Sequence, residues 1–237
     1  MPVTDVPTAL NHGFENIPVP SRYTLGLDLG KMSDYSALAI AEERPERTDL
    51  LLGKALLVPY WADDPGYDLR WLQRWPLRTP YQTIAADVAK RVAALVAVPR
   101  AEVQLYVDGT GVGTAVIEIL QQQEAIRLLY PRMKTITITA GREVTRVTEG
   151  WHVAKGELVS VAQVALQRGK LNVAPALPEA RTLRDELTTF EVTLTEAANA
   201  TFNHRDGKHD DLVLATALSL WGARQRPAPS YQWNYRR

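Results

Sequence analysis

The chain has no cysteine among its 237 residues, so disulfides, thiolate nucleophiles and cysteine-ligated zinc are all excluded. Net charge is lacking too: 27 basic residues balance 27 acidic ones. The balance does not advertise a nucleic-acid binder, although a local basic patch would suffice for one. No apolar run approaches the ~20 residues of a membrane span. The opening MPVTDVPTALNHGFENIPVP lacks the basic-then-apolar layout of a secretion signal. These absences fit a cytoplasmic protein with no membrane partner. No internal repeat is visible. Hydrophobic residues make up 46% of the chain, enough to bury one substantial core.

Residues 1–22 read as an extended lead-in, 23–224 as one folded domain, and 225–237 as a basic, flexible tail. Within the domain, Tyr23–Asp28 and Ser36–Ala41 carry strand patterns, and Leu50–Val58 a third. Short polar links between them predict an antiparallel meander. The Trp- and Pro-rich stretch 61–80 gives no clear pattern and reads as loop. Ile84, Val88, Val92, Leu95 and Val96 follow helical spacing, with Pro99 as the stop. Val103–Val107 is a strand ending in Asp108, followed by the Gly109–Gly113 loop and a helix bearing Val116, Ile119 and Leu120. Met133–Thr139 is another strand. Leu158, Val161, Ala162 and Ala165 mark a helix closed by Gly169, and Pro178–Leu187 a further helix. Phe190–Leu194 and Ala200–Asn203 read as a hairpin. The last helix opens at Asp210, with Leu214, Ala217, Leu218 and Trp221 as its core face. The class is α/β: a mixed sheet, antiparallel meander first and parallel strands after, with helices on both faces.

Carboxylates occupy related addresses. Asp28 lies at the end of one strand, Asp108 at the end of another, and Asp210 and Asp211 at the mouth of the last helix. In open α/β sheets such places face a common crevice. Like charges gathered in a core need compensation, and oxygen donors without Cys or a His pair point to Mg²⁺ or Mn²⁺. Two such ions about 3.5–4 Å apart can serve phosphodiester hydrolysis. Each acid has a plainer use as well. Asp210 or Asp211 could cap the helix, Asp28 could pair with a buried Lys or Arg, and Asp108 could be a turn residue. Asp34 reads as a turn former, and His204 and His209 as exposed hydrogen-bonders.

GLDLGKMSDYSALAI, VDGTGVGTAVIEIL, AKGELV and GKHDDLVLATALSLW, in this order, resemble the nuclease domain of the large terminase subunit of tailed bacteriophages. The likeness spans Tyr23 to Trp221. It implies an RNase H-like (RuvC-like) fold and a metal-dependent endonuclease that cuts concatemeric viral DNA during genome packaging. It also implies Mg²⁺ or Mn²⁺, with a two-ion site held by Asp28, Asp108 and the Asp210/Asp211 pair. Of that pair, Asp211 is the favoured direct ligand. Double-stranded DNA is the implied substrate, in the host cytoplasm, with a separate terminase ATPase chain, the small subunit and the portal as partners. Lys155, Lys208, Arg205, Arg142 and Arg146 flank the motifs and are candidate DNA contacts, each with an ordinary solvated charge as the plainer reading. Unlike a large terminase, these 237 residues hold no G-x-x-x-x-G-K-[ST] phosphate loop. The expectation is thus an isolated nuclease domain, or one half of a split or remnant terminase.

Other families share fragments of this pattern. The actin/hexokinase/Hsp70-like ATPases have echoes at GLDLG and at Asp108-Gly-Thr-Gly. They continue from the second motif into a hairpin, where this chain turns helical with AVIEILQQQ, and they leave HDDLVLA unexplained. A Holliday-junction resolvase-like nuclease would share fold and metals with a different DNA substrate. A fold remnant that only binds a partner is the non-enzymatic reading.

Overall fold

A computed structural model describes residues 20–30, 34–44, 64–130, 132–141, 143–148, 150–197 and 209–226. Its strands are β1 (Arg22–Asp28), β2 (Ser36–Arg44), β3 (Gly66–Trp75), β4 (Glu102–Asp108), β5 (Met133–Thr139), β6 (Val144–Val147), β7 (Gly150–Ala154) and β8 (Leu171–Val173). Its helices are α1 (Tyr81–Val96), α2 (Thr114–Gln121), α3 (Glu124–Arg127), α4 (Lys155–Gln167), α5 (Ala180–Ala197) and α6 (Asp211–Arg224). The strands form one eight-stranded sheet in the order β6-β7-β5-β4-β1-β2-β3-β8. β1, β2 and β3 are antiparallel neighbours, while β4 runs parallel to β1 and β5 parallel to β4. An antiparallel meander joined at its first strand to parallel strands, with helices on both faces, is an RNase H-like α/β fold.

The expected meander is present, but its third strand lies elsewhere. Gly66–Trp75, within the stretch that reads as loop, pairs with β2. Its burial alternates only in part, because the register shifts where Ile40 pairs with Trp71 but Ala41 with Leu69, which breaks the period-two signal. The expected strand Leu50–Val58 lies outside the described residues. The hairpin expected at Phe190–Leu194 is instead the last part of α5, which runs on to Ala197. Its β-branched residues suggested strand, but helix continuity overrides that weak propensity. Ala200–Asn203 lies outside the described residues. The short strands β6, β7 and β8 were not legible in the sequence.

Period-two alternation divides the sheet's residues between two layers. Leu25 and Leu27 of β1, with Val103, Leu105 and Val107 of β4, face α1, α2 and α3. The intervening positions, including Gly26 and Tyr106, face α6. Asp28 and Asp108 continue this second series, so both carboxylates emerge on the α6 side. α6 itself is buried on every side from Asp211 to Ala223, as expected of a helix apolar all round. It is wedged between the sheet and α4 and α5. Gly26 lets it approach: a Cβ there would lie 2.1 Å from the Ala215 carbonyl oxygen. Arg226, assigned by its sequence to the basic tail, is buried against the domain. Its guanidinium meets Glu43 at 3.0 Å and Glu102 at 3.2 Å and donates to the Tyr23 carbonyl at 2.7 Å.

Candidate active site

The C-terminal ends of β1 and β4 lie side by side, since Leu27 pairs with Val107 in parallel register. Asp28 and Asp108 are therefore the next residues on adjacent strands, near enough that each carboxyl feels the other. The turn after β1 is fixed at Gly30, whose amide donates to Ser36 Oγ at 3.0 Å and whose carbonyl accepts from Tyr81 at 2.9 Å. The turn after β4 is held by Thr110. Its amide donates to Asp108 Oδ1 at 2.8 Å, and its hydroxyl oxygen accepts the Ile138 amide at 2.7 Å.

The mouth of α6 completes the arrangement. Asp211 is buried, and its Oδ2 has no hydrogen-bond partner among the described residues. His209 Nδ1 lies 3.7 Å from that oxygen, beyond hydrogen-bond reach, with its ring edge-on to Tyr35 at 4.7 Å. Asp210 is half-buried and pairs with Lys155, the first residue of α4, at 2.6 Å.

Neither aspartate caps the helix. Asp210 stands at the N-cap position but makes no side-chain cap bond. The α6 amides are satisfied from outside, by Glu186 of α5. Its Oε2 accepts from Leu212 at 2.9 Å and Val213 at 3.2 Å, and its Oε1 meets Arg74 Nη1 of β3 at 3.3 Å. Arg74 also lies over the Tyr35 ring, 4.4 Å from its centroid. Sequence reasoning missed both residues. Arg74 sits on the unread strand. Glu186 was discoverable as an acid three positions after the buried Leu183, on the same helix face.

The electrostatics match this geometry. Burial holds the Asp28 carboxyl well above the usual range, and Asp108, Asp211 and Asp210 push it further, against the pull of Lys155. Burial also raises Asp108, opposed by the Thr110 hydrogen bond. Asp211 is pushed up to about 7, mainly by burial and then by Asp210, with Arg74 opposing. Glu186 reaches about 7 through burial, against the Val213 amide. Among the described residues, four aspartates thus converge with Lys155 and Arg74 opposing them, which leaves excess negative charge at a buried place.

All four aspartates singled out in the sequence lie at this end of the sheet, with Lys155 beside them. As placed, no three acidic or histidine side chains among the described residues are close enough together to hold a metal ion. Asp210 is turned toward Lys155 instead. Arg146 does not approach the group. It pairs across the β6–β7 hairpin with Trp151, three residues or about 10 Å before Ala154. Arg142, Arg205 and Lys208 lie outside the described residues. After Asp108 the chain enters the loop and α2, as the sequence indicated, with no intervening hairpin. No helix among the described residues is long and apolar enough to cross a membrane.

No family model matches the chain, and no curated protein matches it. Solved structures do. The chain is similar to the large terminase nuclease from thermophilic phage G20c, at 18% identity over 84% of this chain and 81% of that one, with a TM-score of 0.45. It is also similar to a manganese-soaked human cytomegalovirus terminase nuclease domain, at 12% identity, 84% and 81% coverage and a TM-score of 0.47.

Proposed function

We propose that the protein is a metal-dependent DNA endonuclease of the terminase-nuclease type, cutting phosphodiester bonds by hydrolysis. The observation that carries this reading is the convergence of Asp28, Asp108, Asp210 and Asp211 at one end of the sheet. Asp108 does hold its turn through the Thr110 amide, but the plainer uses of the other acids meet obstacles. The α6 amides already have Glu186. Asp28 sits among three other acids, and Lys155 offsets them only in part. The unpartnered Asp211 Oδ2 is a free oxygen donor in a dry place.

Asp28, Asp108 and Asp211 would hold Mg²⁺ or Mn²⁺, with Asp210 joining when it leaves Lys155. Two ions, when bound, supply charge for the scissile phosphate and a water acidified for attack. The protein's own part is positional. Thr110 fixes one Asp108 oxygen, Glu186 and Arg74 fix the α6 mouth, and Lys155 offers an ammonium to a phosphate oxygen. The family resemblance of the four sequence motifs supplies the substrate: double-stranded viral DNA, cut in the host cytoplasm together with a terminase ATPase chain, small subunit and portal. The helix after Asp108 favours this reading over the ATPase one.

Plasmid incubated with the protein and Mn²⁺ tests the proposal. Nicking and linearisation that vanish with EDTA and in Asp28→Ala are expected. An intact plasmid, or cleavage unchanged in that variant, would overturn it.

A further inference from the structure

A second polar concavity lies on the α6 side of the sheet, at the opposite end from the carboxylates. It encloses about 410 Å³ between β4, β5, the β6–β7 hairpin and the residue after α6. Arg132, Lys134 and Arg146 line it, together with Tyr106, Trp151 and Gln225, and no acid is among its described lining residues. None of the three cations has an ion-pair partner among the described residues. Arg132 and Arg146 are exposed at its rim, and Lys134 is half-buried. Arg146 lies over the Trp151 ring, 5.5 Å from its centroid. The walls are rigid. Trp151 packs edge-on against Trp221 at 5.6 Å, and the Tyr106 ring rests on Gly222, where a Cβ would come within 2.3 Å of it.

The end of a helix carries partial negative charge, which would oppose an anion here. That charge is covered. The Trp221 carbonyl accepts from the Gln225 side chain at 3.4 Å, Gly222 from the Gln225 amide at 3.0 Å and Ala223 from the Arg226 amide at 3.3 Å. Three like charges bordering one small cavity favour an anion over a cation there. The volume fits a small molecule rather than a duplex, and the aromatic walls with the Gln225 amide suit a base.

We infer that this concavity is a nucleoside-phosphate site, distinct from the carboxylate site. Arg132, Lys134 and Arg146 take the phosphates, and Trp151 and Tyr106 border the base. Gln104, at the pocket, lies four residues before Asp108 on β4, about 13 Å away, and Trp221 stands between the two ends of the face. The inference does not depend on the carboxylates being catalytic.

The full chain is titrated calorimetrically in EDTA, at low salt, with ADP, with tripolyphosphate and with a short 5′-phosphorylated strand. Binding by at least one probe is expected, weakened about tenfold in Arg146→Ala and in Lys134→Ala, the loss of one charge-assisted contact each. Preference for ADP identifies a free nucleotide as the source, and preference for the strand identifies a nucleic-acid end. Arg146 is exposed, so its removal spares the fold. Absence of binding by all three probes, or binding indifferent to both substitutions, would overturn the inference.

Discussion

Glu186 accepts the backbone amide of Leu212 at 2.9 Å, so the helix carrying the aspartate pair is capped by a residue of another helix. This contact removes capping as the reason for Asp210 and Asp211. It also ties α5 to the geometry of the acidic end. Glu186→Ala strands two buried amides and an arginine, a loss of about 1–3 kcal/mol. For a domain of this size that is roughly 2–4 °C in Tm for each kcal/mol. Thermal unfolding followed by circular dichroism should show that fall. Glu186→Gln, which keeps an acceptor, should lose less. Equal Tm values for wild type and Glu186→Ala would contradict the cap.

The division of labour between the adjacent aspartates can be separated by amide substitutions. Asp211 is buried with a free oxygen, whereas Asp210 is engaged by Lys155. Asp211→Asn should reduce Mn²⁺-dependent plasmid cleavage by about 10² or more, the scale of losing a group that stabilises the transition state. Asp210→Asn should cost less. Cleavage lost equally in both would mean that the two act as one unit.

Protonation follows from the same crowding. In the folded protein Asp28 is held well above the usual carboxyl range, and Asp211 and Glu186 reach about 7. In the unfolded chain such groups ionise near 4. Between about pH 4 and 7 the folded state therefore binds more protons, and stability falls as pH rises. Unfolding in EDTA should show Tm decreasing from pH 5 to pH 8. Asp28→Asn should flatten that slope and raise Tm at pH 8, and Mn²⁺ should raise the wild-type Tm most at the alkaline end. A Tm that climbs with pH in EDTA would refute the crowding.

What could be read from the sequence is what rests on strong local patterns. Asp28 stood out as an acid in an apolar strand, and Asp108 as an acid that ends the strand Val103–Val107. Chain order alone could not show that these strands are neighbours, since β4 reaches β1 only after α1 has crossed the sheet. β3 escaped notice because a register shift at Arg70 breaks its alternation. Arg74 escaped with it, and Glu186 showed only as an acid on a buried helix face, since its partners are backbone amides. The near-total burial of α6 was underestimated for a related reason. A helix enclosed between a sheet and two other helices has no polar stripe to reveal its orientation.

DNA binding should depend on charge rather than base identity. Lys155 is the cation beside the four acids, and it is half-buried against Asp210 and 5.6 Å from the Phe190 ring centroid. Lys155→Ala should weaken duplex binding uniformly across sequences and lower the slope of log affinity against log salt by about 1. Fluorescence anisotropy over a salt series measures both. An unchanged slope would remove Lys155 from the phosphate contacts.

A close approach of strand and helix gives the most direct test of how the fold sets the site. Gly26 is two residues before Asp28 on the same strand face, and the Ala215 carbonyl of α6 passes where its Cβ would be, at 2.1 Å. Ser219 N, at 2.6 Å from the same point, blocks escape along the helix. Both obstacles are backbone, so no side-chain rotation relieves them. Gly26→Ala must therefore push α6 away from β1, carrying Asp211 from Asp28 and loosening Glu186 from the helix mouth. Overpacking of this kind costs about 1–3 kcal/mol, so the domain should still fold. Cleavage should fall far more than stability, because displacement by about 1 Å at reacting groups can cost on the order of 10²-fold. Wild-type cleavage in a folded Gly26→Ala protein would show that the spacing between α6 and β1 does not set the site.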